Sequence, residues 1–409
     1  MQDGASQQWT GTRKQATVPR VAFLPDSFHE VNGVAHTARN FTAYAQRQGM
    51  PFLCIRAAAP GTYGRPVHKQ EGSVQTLDLP RSRVSIRMER DLSFDPLFLR
   101  HLRTVERVLH SFRPDVIHIT GPSELGMLGA WFAWRLGVPL AAGWHTNLHE
   151  YAARRLGWLK RLWPGAPRVV EAGALAATAR FYRLAKVIFA PNKELCDLLR
   201  WKTGRPCHVM RRGVDAELFT PARRTRPADD PELVLGYVGR LSVEKNTILL
   251  PAVANALRQA GMSHVRFVIV GHGDGEQALR KAVPEASFPG VLRGAVLARA
   301  YADMDLFLFP SETDTFGNVV LEALASGVPA AVTTGGGPKF IVANGVTGVV
   351  STAVELPGAV VRLLADPTRL RAMGPAARTY ALTCRWDNIF EDVYKGYEAV
   401  ASTTPGLLP

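Results

Sequence analysis

A chain of 409 residues exceeds one ordinary hydrophobic core and predicts two domains. Its hydrophobic and charged fractions (46% and 21%) suit a globular protein, and no run reaches the roughly 18 uninterrupted apolar residues of a spanning helix. The net charge of +14 raises nucleic acid as a partner, but no zinc finger, RRM signature or long basic run with interleaved aromatics accompanies it, which excludes that class.

Residues 1–18 (MQDGASQQWTGTRKQATV) are polar and lack an apolar core segment, so a disordered leader is expected there rather than a signal peptide. The first periodic element is VAFLPDS (21–27), an apolar run ending in a turn. VNGVAHT and an amphipathic helix over roughly 35–48 follow it. Strand, Gly-containing loop and helix form the opening unit of a parallel α/β domain. PFLCIRAA, VQTLDLP, DVIHITGP and VPLAAGWHT supply further strands, with FLRHLRTVERVLHSF and LGMLGAWFAWRLG as helices between them. KVIFAPN (186–192) closes this half.

TPARRTRPADDPE (220–232) breaks the pattern with Pro, Arg and Asp and no periodicity, and reads as an approach loop. The alternation then restarts with LVLGYVGR, the helix NTILLPAVANALRQAG and VRFVIVGHG. GVLRG, LFLFPSE, the helix NVVLEALASG, PAAVTT and TGVVS continue it, and residues 366–400 read as helices. Short apolar runs between helices predict a second parallel sheet covered on both faces. The expected division is a leader (1–18), a first Rossmann-like domain (19–215), a second (216–380) and a C-terminal helix (381–409) returning to the first. Two doubly wound domains in tandem put the ligand crevice at the carboxyl ends of the strands, between the halves.

The four cysteines, Cys54, Cys196, Cys207 and Cys384, have neither CxxC nor metal-ligand spacing, which predicts a reduced, intracellular setting. Chemistry concentrates instead in PSETDTFGNVVLEALASGVPAAVTTGGGP (310–338). A strand ends at Pro310, and an acidic loop leads into a helix expected near Phe316, whose free N–H groups and dipole suit phosphate or sugar hydroxyls. Asp314 and Glu322, eight residues apart, would address two parts of one extended ligand. The plainer alternative is a helix N-cap and a solvated helix residue.

This segment resembles the signature of the retaining glycosyltransferases of GT-B architecture, family 4. Their hallmark is Glu-x7-Glu followed by Ala, a small residue and Gly. Here it reads Asp314–TFGNVVL–Glu322–ALASG, with Asp in the first position and Glu312 as a second acidic candidate two residues earlier. GYVGRLSVEKN (236–246) is similar to the family's donor-phosphate segment, and DSFHEVNGVAHT (26–37) to its N-terminal Gly loop. GWHTNLHEY (143–151) is similar to its HT segment, and RRGVDAELFTP (211–221) to its interdomain segment. GGGPKFIVANGVTG (335–348) matches the Gly-rich turn after the acidic helix, and VLRG (291–294) the stretch that clasps the base.

The resemblance implies catalytic parts for His145, Arg240, Lys245 and Asp314, with donor contacts from Gly33, Arg293, Phe316, Gly317 and Glu322. It implies a nucleotide-diphosphate sugar as donor substrate and no cofactor metal, since Arg240 and Lys245 would neutralise the leaving diphosphate. HTN followed by EYA looks most like the α-mannosyltransferase branch, which favours GDP-mannose over a UDP-hexose. A GT-B protein that binds a sugar nucleotide without transferring it stays open. So do an epimerase and a phosphorylase, although no segment resembles a pyridoxal-binding Lys site.

The acceptor is expected to be a lipid or a glycan. Residues 1–200 hold 27 Lys and Arg against 15 Asp and Glu, a balance of +12, while residues 201–409 hold 22 against 20, or +2. The basic half predicts an anionic membrane surface or phosphorylated acceptor, with the protein peripheral at the inner face of a membrane. YAARRLGWLKRLW (151–163) gathers Tyr151, Trp158, Leu159, Leu162 and Trp163 on one helical face, with Arg154, Lys160 and Arg161 opposite. That is the pattern of an interfacial helix; an ordinary surface helix packing its apolar face on the core is the alternative.

Overall fold

The computed structural model describes residues 18–30, 33–59, 61–89, 92–95, 97–144, 166–227 and 230–401, with backbone alone at 86–89, 92–94 and 166–171. Residues 1–17, His145 and the 151–163 segment lie outside them.

The first half builds strands β1 (Val21–Leu24), β2 (Phe52–Ala57), β3 (Val67–Glu71) and β4 (Val74–Leu79). After a two-stranded ribbon, β5 (Ile86–Glu89) and β6 (Leu92–Phe94), come β7 (Val116–Ile119), β8 (Leu140–Gly143), β9 (Val187–Ala190) and β10 (Cys207–Val209). Eight of these form one sheet in the order β10-β9-β8-β7-β1-β2-β4-β3. Every pairing in it is parallel except β3 with β4. The second half forms a parallel six-stranded sheet from β11 (Leu233–Val238), β12 (Val265–Val270), β13 (Ser287–Gly290), β14 (Leu306–Phe309), β15 (Ala330–Thr333) and β16 (Gly348–Ser351). Its order is β13-β12-β11-β14-β15-β16. The two doubly wound domains expected from the sequence are present.

Each of β1, β7, β8 and β9 is buried along its whole length, as helices on both faces require. One face of the first sheet packs against helices Leu102–Phe112 and Glu124–Leu136 through Val105, Leu109, Leu125 and Phe132. The other packs against Gly33–Arg47 and the last helix, Trp386–Ala401. Phe41 stacks on Phe390 with ring centroids 4.5 Å apart, and the buried His118 Nδ1 meets the Tyr397 hydroxyl. The helix before it, Pro367–Thr383, packs instead into the second core through Leu370, Met373 and Ala377. The chain therefore crosses back to the first sheet at Cys384–Trp386.

Strand order reverses between β7 and β1 in one sheet and between β11 and β14 in the other, so each sheet opens a crevice at the carboxyl ends of those strands. Two local readings differ from expectation. The first helix begins at Gly33, two residues before position 35. In GVLRG, Val291–Arg293 leaves the sheet after Gly290, which has φ +76°, and Arg293 is the exposed N-cap of helix Gly294–Ala302. The Arg-rich 220–232 stretch is tied down: Arg224 and Arg226 reach Asp305 at 2.9 and 2.7 Å, and Asp303 accepts from the Thr225 backbone N–H at 2.7 Å.

Candidate functional site

The acidic loop leaves β14 through the buried Ser311, and the helix after it runs Asn318–Ala325. It starts two residues later than expected because Gly317, its N-cap, turns the chain at φ +102°, a conformation side chains rarely adopt. A Cβ at Gly317 would also stand 3.1 Å from Pro338 Cγ. The Gly-rich turn is packed just as closely: a Cβ on Gly337 would lie 2.1 Å from the Thr315 carbonyl oxygen, and Gly337 N–H donates to the Asp314 carbonyl at 2.6 Å. Three glycines in a row let this turn lie directly under the acidic loop.

Asp314 accepts from Lys245 Nζ at 2.6 and 2.8 Å and from Ser311 Oγ at 2.5 Å. Lys245 closes a single 3-10 turn (Val243–Lys245) after β11, and β11 pairs with β14, so neighbouring strands deliver the two charges. Arg240 is exposed on the same β11 loop, with its carbonyl held by the Tyr237 hydroxyl at 2.9 Å. Phe316 is buried beside the loop. Glu322 sits one helical turn deeper, where the hydroxyl of the buried Tyr301 donates to it at 3.0 Å. Desolvation raises its carboxyl from 4.5 to about 7, against the lowering effect of that hydrogen bond.

Gly33 comes from the first domain. A Cβ there would lie 3.4 Å from Asn318 Nδ2, so the N-termini of helices Gly33–Arg47 and Asn318–Ala325 face each other across the crevice. Two helix N-termini brought together supply N–H groups and positive dipole ends, which suit a diphosphate. Asn192 Nδ2 donates to the Thr315 carbonyl at 3.4 Å, and Lys339 pairs with Glu194 at 3.0 Å, both between the domains. A cavity of about 230 Å³ opens beside them, lined by Asn192, Glu194, Leu195, Asp314, Thr315 and Gly337. Arg293 makes none of the contacts described for this cluster. Trp144, the last described residue before His145, is buried at the carboxyl edge of β8, its backbone N–H donating to Phe189 O at 2.7 Å.

Sequence reasoning passed over two residues. Asp26 follows β1 at the switch point, with its N–H on Thr120 Oγ1 at 2.7 Å and its carboxylate hydrogen-bonded by the Ser123 hydroxyl. Burial raises it to about 7. The quoted string DSFHEVNGVAHT contains it, and its place at the end of the first strand was the available signal. Arg212 is 3% exposed and donates to Thr37 Oγ1 at 2.6 Å, while Thr37 donates to the Gly33 carbonyl at 2.9 Å. Desolvation lowers its guanidinium to about 10. Nothing in RRGVD distinguishes the buried arginine from its exposed neighbour.

Solved structures define the class. The fold matches sucrose-phosphate synthase from Thermosynechococcus elongatus with a TM-score of 0.71 at 19% identity, covering 94% of this chain and 99% of that one. It matches the Anabaena protein HepE, solved with UDP-glucose, with a TM-score of 0.65 at 17% identity over 93% and 99%. Two parallel-sheet domains of this arrangement give the chain the GT-B fold. Sequence narrows that further. The model for glycosyltransferase family 4 matches residues 31–218, and that for glycosyl transferases group 1 matches 232–366. A GDP-mannose-dependent alpha-mannosyltransferase of Mycobacterium tuberculosis is 33% identical over 391 residues, 93% of this chain and 97% of the relative. The chain belongs to glycosyltransferase family 4, a family that retains anomeric configuration. Among the described residues no helix is long and apolar enough to cross a membrane.

Proposed function

We propose that this glycosyltransferase moves mannose from GDP-mannose to a hydroxyl of a lipid or glycan acceptor. The observation that carries the reading is the convergence of Lys245, Asp314 and two opposed helix N-termini on one crevice. The choice of mannose over glucose or galactose rests on the similarity to the mycobacterial mannosyltransferase.

In this reading Arg240, Lys245 and the backbone N–H groups at Gly33 and Asn318 hold the diphosphate. Cations fixed where charge develops stabilise the leaving group more than the bound donor. Asp314, with Phe316 and Gly317, positions the sugar, Glu322 takes ribose hydroxyls, and Arg293 lies along the base. The family resemblance assigns His145, which lies outside the described residues, to the transferred sugar. The anomeric C–O bond to the phosphate breaks as the acceptor oxygen bonds the same face of that carbon. The acceptor proton passes to the departing phosphate oxygen, so no side-chain base is required. Closure of the two domains brings Gly33 onto the donor.

Donor choice is tested by thermal shift with GDP, UDP and ADP, followed by hydrolysis of GDP-mannose, UDP-glucose and UDP-galactose without acceptor. The expected result is the largest shift with GDP and sugar release from GDP-mannose. A larger shift with UDP, together with release from a UDP-hexose, transfers the proposal to that donor. Stabilisation without release from any donor indicates a non-catalytic binding protein.

A further inference from the structure

The helix Glu124–Leu136 (ELGMLGAWFAWRL) is apolar on both sides. Leu125, Leu128 and Phe132 are buried against the first sheet. On the opposite side Met127 is 50%, Trp131 38% and Trp134 79% exposed. The spacing i, i+4, i+7 aligns these three in one outward stripe. A helix that only covers a sheet carries polar residues there, and a tryptophan four-fifths exposed gains nothing from the fold it sits on.

The neighbouring helix repeats the geometry with different chemistry. Leu102–Phe112 turns Arg103, Arg107 and His110 outward, again at i, i+4, i+7. Both helices pack on the same face of the sheet through one core, and Arg135 joins them, its Nη2 2.9 Å from Glu106 Oε1. The Arg135 guanidinium also lies 5.2 Å from the centre of the Trp131 ring. The carboxylates of the two helices, Glu106 and Glu124, are thus already engaged, the second by Arg81. Leu97 and Leu99, in the turn before Leu102, are exposed as well. The result is an aromatic stripe beside a basic stripe on the face opposite the one covered by the last helix, Trp386–Ala401.

We infer that this two-helix face docks the protein on an anionic lipid surface. Tryptophan settles at headgroup depth, where its ring meets acyl chains and its N–H meets water or phosphate. A row of arginines alongside supplies the complementary charge, each near the surface worth about a tenfold gain in partitioning or less. The surplus of positive charge in residues 1–200 has the same sign. The helix Glu124–Leu136 starts at Ser123, beside Asp26 at the crevice, so a surface held against its stripe leads to the carboxyl edge of the first sheet. The inference rests on the lipid-acceptor form of the proposed function for its purpose, but not for its evidence.

Co-sedimentation of the full chain with vesicles tests it, using phosphatidylcholine alone and phosphatidylcholine mixed with phosphatidylglycerol. Wild type is expected to bind the mixed vesicles, with a blue shift of tryptophan fluorescence, and to bind neutral ones weakly. The double variants Trp131→Ser/Trp134→Ser and Arg103→Glu/Arg107→Glu are each expected to lose at least about tenfold in binding. Their melting temperature and acceptor-free donor hydrolysis should stay at wild-type levels, since all four positions are exposed and outside the donor site. Equal binding by wild type and both variants overturns the inference. So does a wild-type dimer that Trp134→Ser converts to monomer, which would make the stripe a self-association surface. Transfer to a soluble glycan, with vesicle binding lost in the variants, refutes the lipid acceptor and leaves the docking surface standing.

Discussion

Lys245 and Asp314, assigned separate tasks on the donor by sequence, form an ion pair with the ammonium 2.6 and 2.8 Å from the two carboxylate oxygens. Both side chains are partly buried, so each sets the other's charge environment. A diphosphate bound as proposed would therefore compete with Asp314 for Lys245. Lys245→Ala and Arg240→Ala should each lower turnover by on the order of a hundredfold through loss of leaving-group stabilisation. Asp314→Asn should separate binding from chemistry. GDP affinity by calorimetry is expected to rise or hold, because the lysine is released to the phosphates, while sugar transfer falls. Weaker GDP binding in Asp314→Asn would remove the competition.

Glu322 gives the site a pH dependence. Its carboxyl is raised from 4.5 to about 7 by burial, so the folded protein favours the protonated form. That contribution to stability is complete below 4.5 and is lost as pH rises through about 7. In the proposed role, accepting two ribose hydroxyls requires the ionised form, so GDP affinity should increase between pH 6 and 8. Asp26 is raised into the same range and faces the other domain's crevice. Glu322→Gln should flatten the affinity profile and Asp26→Asn should not; identical profiles for wild type and Glu322→Gln would exclude Glu322 as the titrating group.

The parallel sheets were legible in the sequence because buried strands appear as short apolar runs, VAFL and LFLF among them, punctuated by glycine and proline. The acidic segment was legible because Asp314, Glu322 and the glycines around them are close in sequence. Contacts between the halves were not. The approach of Gly33 to Asn318 and the bond of Arg212 to Thr37 join positions far apart in the chain, and no periodicity encodes them. The start of helix Asn318–Ala325 was misjudged because Gly317 was read as helical, whereas its missing Cβ serves a left-handed turn. The exposed stripe of Glu124–Leu136 was hidden by composition, since ELGMLGAWFAWRL suits a helix buried on every side.

Activity should survive EDTA. The leaving diphosphate is assigned to Arg240, Lys245 and helix N-termini, and the described residues contain no cluster of three His, Cys, Asp or Glu groups placed for a metal. Initial rates before and after chelation decide the point. A strict Mg²⁺ or Mn²⁺ requirement would reassign leaving-group stabilisation to a metal ion.

Arg212 is a buried guanidinium without an ion pair among the described residues, and desolvation lowers it to about 10. Its bond to Thr37, and that of Thr37 to the Gly33 carbonyl, fixes the turn that meets the second domain. Replacing such a cation by a side chain of similar volume is often neutral or stabilising. Arg212→Met should therefore keep or raise the melting temperature while raising the KM for donor several-fold, and Arg212→Lys should restore part of the loss. A lower melting temperature with unchanged KM would reduce Arg212 to a structural residue.

The turn into helix Asn318–Ala325 supplies the last prediction. Gly317 holds φ +102°, and a Cβ there would press on Pro338 at 3.1 Å. Gly317→Ala should lower stability by roughly 1–3 kcal/mol through backbone strain. Relief of that strain would move Phe316 and the helix N-terminus, so GDP affinity should fall as well. Gly173 is the control: it lies inside helix Ala166–Tyr182, is exposed, and a Cβ there would meet nothing within 4 Å. Gly173→Ala should raise stability by about 0.5–1 kcal/mol, because alanine loses less conformational entropy in a helix. Denaturant titration of both variants, with GDP calorimetry, measures the contrast. Equal stability of the two would show that the turn at Gly317 tolerates a side chain, and retained GDP affinity in Gly317→Ala would separate that turn from the donor site.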